Sequence, residues 1–203
     1  MIKLFGHPMS TCTRKVLTAL AETATPYELT LVDFAKGEHK QEPHLSRQPF
    51  GQIPAIDDDG FALFESRAIC RYLSSKADNK LTPNDPKQRA LMEQWLSVEQ
   101  SNFSPNAMKF IYHYVFQRPQ DAAVLEAATA MVEKCCAAIS RPLEKTQFLT
   151  GDQFTIADIG YMPYFEYAMN TPAKASFEKY PHVMAWWERV SKRPSWVKVT
   201  SPG

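Results

Sequence analysis

Pro49-Phe50-Gly51-Gln52-Ile53-Pro54-Ala55-Ile56-Asp57-Asp58-Asp59-Gly60-Phe61-Ala62-Leu63-Phe64-Glu65-Ser66 is the stretch whose reading decides the fold. Asp59-Gly60 favours a tight turn and separates two short apolar runs, 53–56 and 61–64, so the segment reads as a β-hairpin. Pro54 cannot donate to a ladder and belongs at a strand start or edge. X-Pro bonds also turn cis at modest cost, so a cis Ile53-Pro54 bond is expected. Such a bond would present the Ile53 N–H and C=O away from the sheet, towards an extended, peptide-like ligand. Past the second strand, Glu65-Ser66 precedes a helical pattern of Ile69, Tyr72 and Leu73, with Ser66 suited to the N-cap. A carboxylate, a hydroxyl and unpaired helix N–H groups then share one spot, which suits a head group carrying one carboxylate and one ammonium.

Upstream, Ile2–Phe5 reads as a strand, Gly6-His7-Pro8 as a turn, and Thr11 to Glu22 as a helix with Val16, Leu17 and Leu20 at helical spacing. Pro26 marks the exit, and Tyr27, Leu29 and Leu31 alternate with polar neighbours as a second strand. Residues 33–50, punctuated by Gly37, Pro43 and Pro49, read as a loop with one short helix at 42–46. Strand, helix, strand, loop, hairpin, helix is the order of a thioredoxin-like domain, an α/β unit whose first half is a βαβ crossover. Residues 1–77 are therefore assigned to it. Two prolines in a polar run place a linker at 78–86, and 87–203 reads as an all-α domain. There Asp85 and Pro86 start a helix with Leu91, Trp95 and Val98 on one face, Pro105 kinks or interrupts it before Phe110 and Tyr114, and another helix runs from Asp121 to Arg141. Thr155-Ile156-Ala157-Asp158 is a capping box, and a last helix spans 181–191 before Pro194.

Composition narrows the function classes. Lys+Arg 23 against Asp+Glu 22 in 203 residues gives a net charge of +1 without a basic block, which argues against nucleic acid or an anionic membrane as partner. The N-terminus shows no long apolar core, so a soluble, cytoplasmic protein is expected. Cys12, Cys70, Cys135 and Cys136 form no C-x-x-C pair and read as thiols in a reducing compartment rather than a disulfide framework. His7, His44, His113 and His182 lack metal spacing, and no metal site is expected.

Phe50-Gly51-Gln52-Ile53-Pro54 followed by Phe64-Glu65-Ser66-Arg67-Ala68-Ile69, with Lys36-Gly37-Glu38-His39-Lys40 upstream and Gly6-His7-Pro8-Met9-Ser10 at the start, resembles the cytosolic glutathione transferases, most closely the serine-type phi class. The resemblance implies glutathione as co-substrate and small hydrophobic electrophiles as acceptors, in a detoxifying homodimer with Phe50 and Arg67 to Arg71 as candidate contacts. By the same carry-over, His39 and Lys40 hold the glycyl carboxylate, Ile53 pairs through its backbone with the cysteinyl unit, and Gln52, Glu65 and Ser66 hold the γ-glutamyl end. Met9, Phe34, Phe110 and Tyr114 are the implied acceptor-pocket residues. Ser10 matches the catalytic serine, and its own position, between a strand and a helix N-terminus, lets a hydroxyl donate to a sulfur while the helix dipole assists. Serine is too weak a base to take the proton, so its role is to stabilise a thiolate. The departure from the family is Thr11-Cys12-Thr13, which sets a thiol two residues past Ser10. It keeps open a glutathione-dependent peroxidase or thiol-exchange activity, and the fold alone leaves open a non-catalytic glutathione carrier.

Overall fold

The computed structural model describes residues 1–201, which divide into two compact units, Met1–Thr82 together with the chain from Pro194, and Pro83–Arg193. The first holds β1 (Ile2–Gly6), α1 (Thr11–Thr23), β2 (Tyr27–Leu31), β3 (Ala55–Asp58), β4 (Phe61–Phe64) and α2 (Ser66–Lys76). The sheet order is β2-β1-β3-β4, with β1 and β2 parallel and the other pairs antiparallel. This is the thioredoxin-like arrangement expected from the order of elements. Leu4 on β1 faces Leu29 on one side and Ile56 on the other, and both Leu4 and Ile56 are fully buried. Val16, Ala19 and Leu20 of α1 and Ile69 and Leu73 of α2 complete that core, the two helices packing on each other.

The hairpin turn has positive φ at both Asp59 (53°) and Gly60 (94°), the two-residue geometry whose twist matches the flanking strands. Its first strand begins later than the apolar run suggested. Pro54 has no N–H to give, and the ladder starts at Ala55, opposite Phe5. The Ile53-Pro54 bond is cis as expected, and so is Glu42-Pro43. The short helix expected at 42–46 is not formed. The Ser46 N–H bonds the Glu42 carboxylate (3.1 Å), and residues 42–47 close as successive turns, while a single 3₁₀ turn forms earlier, at Glu38–Lys40.

The second unit is entirely helical among the described residues: α3 (Pro86–Val98), α4 (Ser104–Phe110), α5 (Ala122–Leu143), α6 (Ile156–Ala168), α7 (Lys174–Glu178) and α8 (Pro181–Ser191), with π-helical turns at Glu99–Phe103 and Ile111–Val115. The Asp85 carboxylate caps α3 by accepting from the N–H groups of Lys87 (3.1 Å) and Gln88 (2.9 Å). Its buried stripe is Met92, Trp95 and Leu96; Leu91, expected on the inner face, is 43% exposed. As expected, the α-helix is interrupted ahead of Pro105, which lies in the first turn of α4. A π turn precedes it, with the Ser104 N–H reaching back to the Glu99 carbonyl, and that widening absorbs the proline. The final helix, α9 (Pro194–Thr200), was not expected from the sequence; its residues, assigned there to the helical domain, belong to the first unit, where α9 packs on α1 and the Ser195 hydroxyl donates to the Glu22 carboxylate at 2.5 Å.

The capping box forms as read. Asp158, fully buried, accepts from the N–H of Thr155 (3.0 Å), the N–H of Leu149 (3.0 Å) and Trp186 Nε1–H (2.9 Å). Burial pushes its carboxyl up, against the pull of these donors. Replacing it strands three buried donors at once. Asp158→Ala is therefore expected to cost roughly 3–5 kcal/mol of stability, read as a lowered denaturant midpoint; a midpoint within error of the native protein would remove Asp158 from the list of elements holding this unit.

Candidate functional site

The register places the chemistry at one end of one sheet. Thr30, Phe5, Ala55 and Phe64 form a single cross-strand row. The chain runs outward past that row four times, at Val32–Phe34 after β2, at His7–Ser10 after β1, at Ile53-Pro54 before β3, and at Glu65-Ser66 after β4. Ser10, Ile53, Glu65 and Ser66 therefore leave from the same edge, although up to 56 positions separate them in sequence. Phe5, Val32 and Ile53 pack their side chains together just beneath that edge.

Ser10 is the N-cap of α1. Its hydroxyl oxygen accepts from the Thr13 N–H at 3.2 Å, using a lone pair and leaving the O–H proton available to a ligand. Cys12 follows in the first turn as a half-buried free thiol. The other thiols are buried, which pushes Cys70 up to about 12 and Cys135 to about 11 and makes them poor nucleophiles.

Ile53 is buried by its side chain, yet it lies outside the β1–β3 ladder, and among the described residues neither its N–H nor its C=O has a main-chain partner. An extended backbone laid alongside could satisfy both groups. Gln52 beside it is exposed.

Glu65, rather than Ser66, is the N-cap of α2, a correction with a physical cause. Its φ of +70° puts it outside the helix, so Ser66 is already the first helical residue and is 97% buried, at 3% exposure. The Glu65 side chain makes no capping bond and stands exposed, while its carbonyl accepts from the Ile69 N–H at 2.9 Å. A non-glycine residue held at positive φ costs of order 1–3 kcal/mol, and such residues cluster where a ligand must be met. The first N–H groups of α2 and a carboxylate thus sit side by side.

His39 and Lys40 close the 3₁₀ turn. The Lys40 ammonium donates to the Phe50 carbonyl at 3.1 Å, and the His39 ring stacks on Phe34 (centroids 4.2 Å apart, 23° between planes). Burial, then the positive charge of Lys40 and the presence of His44, hold His39 below the usual imidazole range. Its Nδ1 is buried without a partner. Gly51 ties this turn to the hairpin: its φ is +60°, and a Cβ there would meet the His39 carbonyl oxygen and Lys40 Cδ, each at 2.7 Å.

Of the acceptor-side residues, Met9 and Phe34 are each 48% exposed in the first unit. In the second, Phe110 is buried at the end of α4 and Tyr114 is half-buried in the following π turn. Three supporting residues were not singled out for the site by sequence: His44 and Gln48, which bind the Gln52 main chain, and Gly51. His44 carried no readable signal, since its spacing matches neither a helix face nor a metal set. Among the described residues no group of three or more His, Cys, Asp or Glu side chains could hold a metal ion, and no helix is long and apolar enough to cross a membrane.

The lowered His39 value has a testable sign. Because the folded protein binds that proton less readily than the unfolded chain, the contribution of His39 to stability is present above the ordinary value and is lost as pH falls through the folded one. An NMR titration of the imidazole Cε1–H signals should place His39 below 6.5, its unperturbed value; a midpoint at or above that value would contradict the burial seen here.

Comparison with known proteins gives a consistent family. Residues 1–75 match the family model for the glutathione S-transferase N-terminal domain, and residues 103–194 that for the C-terminal domain. Glutathione S-transferase F6 of Arabidopsis thaliana is 37% identical over 206 residues, covering 98% of each chain. Glutathione transferase F7 from Populus trichocarpa superposes with a TM-score of 0.92 at 37% identity, over 98% of this chain and 97% of that one. Maize glutathione S-transferase I, solved with an atrazine glutathione conjugate, gives 0.90 at 32% identity, over 98% and 95%.

Proposed function

The chain belongs to the glutathione S-transferase family, and from that premise we propose that it joins the glutathione thiolate, stabilised by Ser10, to small hydrophobic electrophiles. The observation that carries the reading is the shared edge at which Ser10, Ile53, Glu65 and Ser66 leave the sheet. Each matches one need of a γ-glutamyl-cysteinyl-glycine backbone. Ile53 offers an unpaired main chain to the cysteinyl unit, and Glu65 a carboxylate to the γ-glutamyl ammonium. Ser66 and the open N–H groups of α2 suit the γ-glutamyl carboxylate, with Gln52 alongside. Lys40 supplies the charge for the glycyl carboxylate. His39, held neutral, supplies a hydrogen bond rather than a second cation. Met9 and Phe34, exposed and apolar in the same unit, are the residues proposed to face the electrophile.

The thiolate arithmetic closes on Ser10. A free thiol ionises near about 8.5, and lowering that by two units needs roughly 2.7 kcal/mol of preference for the anion. A hydrogen bond to a charged group is worth roughly 1.5–3 kcal/mol, and a helix N-terminus adds roughly 0.3–1 kcal/mol. The cap geometry lets one hydroxyl serve both, its oxygen holding the Thr13 N–H and its proton directed to sulfur. As the sulfur attacks the electrophilic carbon, the leaving group takes the electron pair and departs. The serine proton stays where it is.

Family resemblance also supports a homodimer, a cytoplasmic location and a detoxifying role. Sedimentation equilibrium at micromolar concentration should give twice the chain mass of 23.1 kDa, and a monomeric mass would reject the dimer. The catalytic proposal is tested by two variants assayed on a chloronitroaromatic and on an organic hydroperoxide. Ser10→Ala should lose about 2–3 kcal/mol of thiolate preference, cutting conjugation at neutral pH tens-fold or more while glutathione still binds. Cys12→Ser should be nearly silent in both assays. If Ser10→Ala conjugates at the native rate and oxidised glutathione leaves a single adduct on Cys12, the serine mechanism is wrong and Cys12 is the working thiol.

A further inference from the structure

We propose that His44 and Gln48 are positioning residues for glutathione, a pair of buried clamps that hold the Gln52 peptide so that Ile53 presents its main chain to the ligand. The inference rests on the glutathione reading above and adds the part of the protein that makes the Ile53 arm rigid.

Three contacts converge on Gln52, a residue whose own side chain is exposed. The Gln48 side-chain oxygen accepts from the Gln52 N–H at 3.1 Å, and His44 Nε2 lies 2.7 Å from the Gln52 carbonyl oxygen. The third, at 3.5 Å, runs from Gln48 Nε2 to Gln52 Oε1. Because a carbonyl can only accept, Nε2 must carry a proton, and in the neutral ring Nδ1 is then a bare lone pair. That lone pair is buried without a partner. His44 is 4% exposed and Gln48 1% exposed. Burying two polar side chains, one with an unsatisfied nitrogen, is unfavourable unless the bonds they do make are needed.

Those bonds answer a specific weakness. The β1–β3 ladder begins at Ala55, so no strand pairing fixes the peptide groups of Gln52 and Ile53. A loop in that condition would fluctuate, and a ligand pairing with it would have to bear the cost of ordering it. With N–H and C=O of Gln52 both tied to buried side chains, and the Ile53 side chain packed on Phe5 and Val32, the arm is ordered before the ligand arrives. Among the described residues no hydrogen bond joins either clamp to Ser10, and the effect expected is on ground-state binding of glutathione.

The test separates positioning from general stability. His44→Phe keeps a planar ring and removes the donor; His44→Gln can place an amide N–H near the lost Nε2 position; Gln48→Met keeps length and removes both polar atoms. For His44→Phe, calorimetry and steady-state kinetics should show the glutathione Kd and KM raised about tenfold. The kcat at saturating glutathione, the electrophile KM and the pKa of the bound thiol should stay within about twofold of native. His44→Gln should recover most of the lost affinity. An unchanged glutathione KM in folded His44→Phe, a fall in kcat matching the rise in KM, or a glutamine no better than phenylalanine would each overturn the positioning role. If His44→Phe does not fold, Gln48→Met decides alone, an unchanged KM there refuting the clamp. Native protein that fails to bind glutathione in calorimetry would instead overturn the functional reading, and the clamp with it.

Discussion

The cross-strand row of Thr30, Phe5, Ala55 and Phe64 is the constraint on which the site depends. A sheet fixes register because a slip of one residue would turn every side chain to the wrong face. Leu4 and Ile56, both fully buried, cannot tolerate that slip. Once their pairing is set, the loops beyond the row have no freedom over where they start. Ser10, Ile53 and Glu65 come together because Leu4 and Ile56 must be inside.

The site is made of main-chain groups that the fold declines to use. The ladder stops at Ala55, and the first N–H groups of α2 lie beyond any intrahelical partner. Glu65 takes a positive φ and leaves its carboxylate uncommitted to capping. Each of these would be a defect in an isolated domain. A ligand built from peptide bonds and carboxylates is the partner proposed to satisfy them.

How much of this was legible in the sequence depended on the range of the forces involved. Local chemistry read well. Asp59-Gly60 gave the hairpin, Asp85 gave a cap, and Thr155 with Asp158 gave the capping box, because each involves groups within a few residues of one another; Ser66 was read as a cap one residue too late, since the positive φ of Glu65 moves the helix start. Boundaries set by tertiary contacts read less well. Pro54 delayed the start of β3, and residues 42–47 closed as successive turns rather than the helix expected at 42–46. Leu91 has the right residue type and spacing for a core position, yet it faces out because the stripe of Met92, Trp95 and Leu96 is the one that packs. The residues proposed to face the ligand were named from their family pattern rather than from spacing. His44 and Gln48 escaped because a histidine that bonds one distant carbonyl leaves no periodic trace.

Gly51 shows why two motifs that look independent in the sequence are one physical object. Its amide donates to the Gln48 carbonyl at 3.0 Å, and its missing side chain is the space into which the His39 carbonyl and the Lys40 stem fit. Lys40 in turn reaches the Phe50 carbonyl, one residue before it. Any side chain at position 51 would therefore push His39-Lys40 away from Gln52-Ile53 and strain a backbone already at positive φ. The close approach of these two segments thus depends on the absence of a single Cβ. Glu38-His39-Lys40 and Phe50-Gly51-Gln52-Ile53-Pro54 are packed against each other as one unit.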